Sequence, residues 1–276
     1  MDSPEGVETS ASGAGGTAFD GLAPAYDETF THTLIATWLR GRVHAHLDAH
    51  FQAGHTVLEL GCGTGEDAWH LVQRGVRVMA TDFSEGMLAV ARAKLAGNPL
   101  ATVARLDLAN LPPDALPGPF DGAYSNFGPL NCLDGWRPLA AWLAARIRPG
   151  GVVAVGVMGP LCPWEIGWHT LHGDLSMAFR RLRRRVTFPA DDGQSITVRY
   201  PSPGRLLRDF SPWFRRLDLR GLGVFLPTTG EYAVFEKRPR LLRLAMGLEV
   251  RLAHRWPFKY LGDHYWLELV RTGFQG

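Results

Sequence analysis

The chain has 276 residues, 46% hydrophobic and 11% aromatic, enough for a full core and too much for a generally disordered protein. Its net charge of +2 hides an asymmetry: residues 1–150 hold ten Lys/Arg against sixteen Asp/Glu, and residues 151–276 nineteen against eleven. Cys62, Cys132 and Cys162 show no CxxC or other metal-ligand spacing, so a disulfide framework and a structural metal are excluded and a cytoplasmic setting is expected.

The opening residues are acidic and Gly/Ser-rich, read as a disordered tail at 1–17 with no signal-peptide pattern. After FDGLAPAYDETF comes a helical stretch to about His50. From there short apolar runs alternate with amphipathic ones: strands at 55–60, 76–81, 101–107, 120–125 and 151–157, helices at 66–73, 85–96 and 135–147. Buried β-runs alternating with helices imply an α/β fold, a parallel sheet with helices on both faces. The uncharged run Gly150–Trp164 is too short, and too rich in glycine and proline, to span a bilayer.

Residues 158–200 break the rhythm with an aromatic helix-like stretch and a hairpin turning at Asp192-Gly193. A helix at 204–210, a strand at 214–225, a basic helix at about 238–254 and the strand HYWLELVR complete the chain. The organisation expected is one domain over 18–276, with cap insertions at about 158–200 and 227–258.

The strongest chemical signal is VLELGCGTGE, an apolar strand ending in Gly61-x-Gly63-x-Gly65 and passing straight into a helix. Glycines there let the chain turn tightly and a ligand approach the backbone. A nicotinamide fingerprint places its third glycine one residue later, and a phosphate loop requires GK[ST], which is absent. Glu59 before the loop would repel a pyrophosphate and suits an ammonium group. Asp82, at the end of the next strand, can accept both hydroxyls of a ribose, and Asp107, ending the third, can accept from an adenine amine. Ribose, adenine and ammonium together describe S-adenosylmethionine better than a dinucleotide.

These residues resemble the class I S-adenosylmethionine-dependent methyltransferases. ELGCGTG is similar to that family's first motif, TDFSEGML to its second, RLDLANLP to its third and FDGAYSNFG to its strand-four motif. The resemblance implies a Rossmann-like sheet of order 3-2-1-4-5-7-6 with strand 7 antiparallel. It further implies that Gly61, Cys62, Gly63 and Gly65 line the methionine part, with Glu59 at its amine and Asn126 alongside. Asp82 would hold the ribose, Phe83 and Met87 flank the adenine, and Asp107 with the Leu108 amide read its edge. FDGLAPAYD resembles the segment that folds over the cofactor in ubiquinone-type methyltransferases, making Phe19 and Tyr26 lid contacts.

The acceptor should lie where the strand order reverses, beside Ser125-Asn-Phe-Gly-Pro-Leu-Asn131. Asn126-Phe-Gly-Pro129 departs from the Asn/Asp-Pro-Pro-aromatic pattern of base methyltransferases, so no nucleic-acid substrate is expected. Asn131, Trp164, Trp168, Tyr200 and Tyr232 are the acceptor-wall candidates, which suits a small, lipophilic molecule. Glu165 and His169 are the catalytic candidates, with His172 and His264 as further titratable groups; a dedicated base is optional for methyl transfer. The rival readings are another transferase using the same cofactor, and a non-catalytic cofactor- or partner-binding module.

Two patterns stand outside this scheme. His44-Ala-His46-Leu-Asp48-Ala-His50 loosely resembles a metal motif, but its spacing and helical placement favour a solvated helix face. The Arg180–Arg185 run and the 238–255 stretch are basic and amphipathic; a solvated face is the favoured reading and peripheral membrane contact the lesser one.

Overall fold

The computed structural model describes residues 20–21, 23–116, 118–183, 185–189, 195–228, 231–232, 235 and 237–273. The proposed tail, Phe19 and the Asp192-Gly193 turn lie outside the described residues. The strands are β1 (Thr56–Leu60), β2 (Arg77–Asp82), β3 (Ala101–Arg105), β4 (Phe120–Ser125), β5 (Ile147–Met158), β6 (Arg185–Pro189), β7 (Ser195–Arg199), β8 (Phe214–Leu222) and β9 (His264–Arg271). Among the described residues, the helices after the N-terminal segment are α1 (Leu34–His50), α2 (Glu66–Val72), α3 (Glu85–Lys94), α4 (Arg137–Ala144), α5 (Pro163–Leu171), α6 (Leu175–Ala178), α7 (Pro203–Phe210) and α8 (Pro239–Leu252), and a single helical turn, Ala23–Tyr26, precedes them.

Seven strands form one sheet in the order β3-β2-β1-β4-β5-β9-β8. The first five run parallel, and β9 lies antiparallel between β5 and β8. Counting only sheet strands, this is the expected order with its antiparallel seventh strand. A separate antiparallel hairpin joins β6 to β7.

Strand alternation sorts the core into two layers. Tyr265, Leu267 and Leu269 of β9 face the layer that holds Leu139 and Leu143 of α4 and Leu206 and Phe210 of α7. Trp266 faces the opposite layer with Ile35, Leu39, Val43 and Leu47 of α1, Leu71 of α2 and Leu88 of α3. The i, i+4 spacing on α1 is what turns that helix into the sheet.

Element ends follow local chemistry. The Ser84 hydroxyl accepts the Met87 amide at 3.1 Å and starts α3. β3 stops at Arg105 and not at Asp107, because the Asp107 carboxylate accepts the Ala109 amide at 2.9 Å and turns the chain. β8 stops at Leu222 and not at 225, because the buried Glu249 carboxylate accepts the Gly223, Val224 and Phe225 amides at 2.8–2.9 Å. Three backbone donors are thereby taken out of any ladder.

Part of the polar pattern on α1 and part of the arginine run turn inward onto buried acids. Glu268 points to the α1 face of the sheet, where His46 Nδ1 and His50 Nε2 each reach it at 2.9 Å and the Trp266 indole N–H at 2.9 Å. The expected solvated face of α1 is thus corrected: the two histidines satisfy a buried carboxylate, as burial of a charge requires. Arg180 and Arg181 likewise turn inward onto Glu165.

Candidate functional site

The carboxyl ends of β1, β2 and β4 meet at the glycine loop. The Gly61 and Cys62 amides both donate to the Thr81 carbonyl at 2.8 Å, tying the loop across to β2. Gly61, Gly63 and Gly65 all have positive φ, at 73°, 52° and 80°. Each also has its own spatial requirement. A Cβ on Gly61 would meet Pro129 Cγ at 2.3 Å, and one on Gly65 would press on Ala91 of α3 at 3.1 Å. A Cβ on Gly63 would point into open space, leaving its backbone accessible to a ligand.

Asp82 lies under this loop, its Oδ2 accepting the Gly63 amide at 2.8 Å and its Oδ1 the Ser84 amide at 3.0 Å. Burial raises its pKa above the ordinary carboxylate value, and the backbone donors oppose that only in part. Each oxygen keeps acceptor capacity after one bond. Cys62 is buried beside it, and burial pushes its thiol well up, so it is an inert wall.

Glu59 is the decisive group. It is 2% exposed and its Oε2 has no hydrogen-bond partner. Burial, with the nearby Asp67 charge adding to it, lifts its carboxyl well above the usual range. Asn126 Oδ1 is a second buried acceptor without a partner. Two unfilled acceptors at one strand edge fit a ligand with several N–H donors, such as the ammonium of S-adenosylmethionine.

Asn126 is held from the other side. Its amide donates to Asp67 Oδ2 at 3.0 Å, while Arg40 and His44 reach Asp67 Oδ1 at 2.6 and 2.8 Å. Burial would raise the Asp67 carboxyl, but the Arg40 charge and the His44 bond outweigh it and hold it far below its ordinary value. The His44 ring stacks on His70 at 3.8 Å, and His70 pairs with Asp48 at 2.9 Å. Sequence reasoning missed Arg40, His44 and Asp67. The available signal was an acid at an inward helical position two residues after the third glycine.

Residues 20–31 cross the same edge. Asp20 accepts the Ser84 hydroxyl at 2.5 Å and the Gly86 amide at 2.9 Å. Asp27 accepts the Thr64 hydroxyl at 2.6 Å and the Lys94 ammonium at 2.7 Å. Between these two latches Tyr26 is turned inward, and burial pushes its phenol up to about 12, with Arg40 opposing and Asp82 adding. Asp27, His32 and Glu66 lie close enough together to hold a cation, but Lys94 already bridges the two carboxylates at 2.7 and 2.8 Å.

On the adenine side, Arg105 covers one face of Phe83 at 4.7 Å, and Met87 is fully buried. Asp107 stands in a turn, one oxygen committed to Ala109, and Leu108 packs against the second core layer.

On the acceptor side the expected residues divide. Asn131 is fully buried and spent: its Oδ1 accepts the Met158 amide at 3.0 Å, and its Nδ2 donates to the Met158 and Arg199 carbonyls at 3.0 and 2.5 Å. It staples the strand-four loop to β5 and to the cap hairpin. Glu165 is also spent, both oxygens taken by Arg180 and Arg181 at 2.8–3.0 Å, which hold its carboxyl below its usual value against burial. A carboxylate so engaged is an ion-pair anchor, and the expectation of a base there is corrected.

Of the expected aromatic wall, two members meet. Trp164 and Trp168 stack at 6.2 Å, Phe235 meets Trp164 edge-on at 4.6 Å, and the Trp164 indole N–H is buried without a partner. Tyr200 and Tyr232 are buried, Arg181 lying over the Tyr200 ring at 5.3 Å. His169 is half-buried on α5, whereas His172 bonds the Trp168 carbonyl at 2.8 Å. His264, buried and paired with Asp263 at 3.1 Å, meets the Phe127 ring edge-on at 5.6 Å.

Residues 57–151 match the family described as methyltransferase domain. Over those residues the chain matches a methyltransferase domain, and its sheet has the strand order expected of the class I S-adenosylmethionine-dependent fold. It is 34% identical over 137 residues to a demethylmenaquinone methyltransferase of Clavibacter sepedonicus, covering 50% of this chain and 55% of that one. It is 33% identical over 144 residues to the ubiquinone/menaquinone biosynthesis C-methyltransferase UbiE of Geobacter sulfurreducens, covering 48% and 53%. The chain thus spans about half the length of these curated relatives. The crystal structure of the [4+2]-cyclase SpnF shares this chain's fold at a TM-score of 0.61 and 15% identity, over 97% of this chain and 99% of that one.

Proposed function

We propose that this chain transfers a methyl group from S-adenosylmethionine to a small, lipophilic acceptor. The buried Glu59 oxygen without a partner, beside three positive-φ glycines, is the observation that carries the reading. It supports a cationic amino-acid moiety at this edge, where a dinucleotide would place phosphates.

When bound, S-adenosylmethionine supplies a methyl on a sulfonium with a good leaving group. Glu59 and Asn126 would accept from its ammonium, the Gly63 backbone would lie along its chain, and Asp82 would accept from its ribose. Phe83 and Met87 would flank the adenine, with Asp107 and Leu108 at its edge. Tyr26, held down by the Asp20 and Asp27 latches, would exclude water from the sulfur. The chain's work is then mainly positional: in-line displacement gains from holding the two reactants together, and a dedicated base is optional.

The acceptor would enter from the cap. Trp164, Trp168, Tyr200 and Tyr232 supply apolar surface, and the unpaired Trp164 N–H offers one directional donor. The names of the curated relatives, quinone-biosynthesis methyltransferases, agree with an aromatic acceptor of this kind. His169 is the half-buried titratable group on the wall. Incubation with methyl-labelled cofactor and a panel of hydroxylated quinol and phenol acceptors tests the reading. Label transfer to such acceptors is expected; cofactor binding without transfer to any of them would sink it.

A further inference from the structure

We propose that helix α8 and the turn after it form a docking surface for an anionic lipid bilayer. Residues 237–259 carry seven Lys/Arg and one carboxylate, Glu249. That carboxylate is buried under the Gly223, Val224 and Phe225 amides, so no negative charge of this segment reaches the outer face. Lys237, Arg238, Arg240, Arg243, Arg251 and Arg255 are exposed, and among the described residues none of them forms a salt bridge. Arg40, Arg180 and Arg181, which turn inward, are by contrast paired with acids.

The rotation of α8 is set by Leu242, Ala245 and Glu249, which face the core. At 3.6 residues per turn, Arg240, Leu244, Gly247 and Arg251 then follow one another along the outward line. Leu244 is 59% exposed in the middle of that line, and Trp256, in the turn beyond, is 79% exposed. Arg42 lines a cleft with Val250, Ala253 and His254 and extends the positive patch toward α1.

Unpaired cations alone would suit any polyanion. Leucine at the centre of the patch decides between them, because nucleic-acid backbones are met by cations and polar groups and offer leucine little. A bilayer takes both parts, head-group phosphates for the arginines and acyl chains for Leu244 and Trp256. The inner face of the same helix packs into the core layer against which Trp164 also packs, so the docked face backs directly onto the cap. This inference rests on surface residues alone and does not depend on the identity of the acceptor or on methyl transfer.

The test is co-sedimentation of the full chain with phosphatidylcholine vesicles, with and without phosphatidylglycerol. Binding to the anionic vesicles, released by salt, is expected. Replacing Arg240, Arg243 and Arg251 together by Gln should weaken partitioning by about a hundredfold, roughly fivefold for each charge near the surface. Leu244→Ser with Trp256→Ser should weaken it at unchanged charge. Arg215→Gln with Arg216→Gln, exposed at the far end of β8, should bind as the parent does. Thermal melts of all variants verify the fold. Equal pelleting with neutral vesicles, equal loss in the β8 pair, or binding to polyuridylic acid but not to vesicles would each overturn the proposal.

Discussion

Replacing Glu59 by Gln separates what this side chain does for the fold from what it does for the cofactor. In the protein alone, Glu59 is a fully buried carboxyl with an unfilled oxygen, lifted well above 4.5 first by burial and then by Asp67. An amide of the same shape keeps the Tyr124 hydroxyl as its neighbour, so unfolding free energy should change by less than about 1 kcal/mol. In the complex the same change removes a charge-assisted bond to an ammonium, worth about 1.5–3 kcal/mol, or about ten- to hundredfold in Kd. The pH dependence carries a second signature. A carboxyl whose folded value is raised holds a proton that the unfolded chain releases, so its stabilisation is present below 4.5 and lost as pH rises through the folded value. Ammonium binding requires the ionised form, so cofactor affinity should rise with pH across that window with release of a proton. Glu59→Gln should abolish this contribution and leave a residual slope from Asp82, which is also raised. Calorimetry in two buffers of different ionisation heat reads both quantities. Unchanged affinity together with unchanged proton release would refute the assignment of Glu59 to the ammonium.

Gly61→Ala should destabilise the fold by about 1–3 kcal/mol, since its Cβ would overlap Pro129 at 2.3 Å; Gly63→Ala, pointing into open space, should lose more in cofactor affinity than in Tm. Asn131→Ala should lower stability by about 1–3 kcal/mol by freeing the Met158 and Arg199 carbonyls, and limited proteolysis should then cut the cap hairpin first. Glu165→Gln should cost about 1–3 kcal/mol in urea unfolding by weakening its bonds to Arg180 and Arg181, with Arg181 keeping its pair to Asp263 at 2.6 Å, while the pH–rate profile of the folded protein stays as it was; a lost limb in that profile would restore Glu165 as a base. Glu268 is held below 4.5 despite burial, chiefly by its bonds to His46 and His50, so its stabilisation is present above 4.5 and lost on acidification. Glu268→Gln should therefore flatten the acid limb of Tm against pH, and an unchanged limb would show that acid unfolding starts elsewhere.

The sheet was legible because each parallel strand is a short apolar run closed by a turn or a helix cap, a pattern that survives without knowledge of partners. β4 and β9 coincide with their expected ranges, and the order follows once the glycine loop marks β1. What the pattern cannot carry is the direction of a polar side chain across long sequence separations. His46 and His50 read as solvated because Glu268, their partner, is more than two hundred positions away. Glu165 read as a base because nothing in the local sequence shows two arginines folding back onto it. Asn131 read as an acceptor contact for the same reason: its partners at Met158 and Arg199 become neighbours only when the cap hairpin is laid down. The glycines, by contrast, were legible one by one: all three have positive φ, and at Gly61 and Gly65 the missing Cβ also avoids a neighbour.

The loop after β4 shows why site and fold are not separable here. Phe127 has φ of 52°, a conformation a bulky residue adopts only when its surroundings over-determine it, at a cost of about 1–3 kcal/mol. Three contacts do so. Arg40 lies over its ring at 4.8 Å, His264 meets its edge at 5.6 Å, and the preceding Asn126 is tied to Asp67. Arg40 belongs to α1, Asp67 to α2 and His264 to β9, so helices before and after the glycine loop and the last strand all bear on one peptide. The strain is offset by a buried ion pair between Arg40 and Asp67 that would be poor value as stability alone, since apolar residues of equal volume often serve better. What the pair accomplishes is orientation: it draws the Asn126 amide nitrogen onto Asp67 and leaves the oxygen without a partner, 2.8 Å from where a Cβ on Gly156 would stand. The same arrangement explains why an acid was retained at position 67 on an inward helical face.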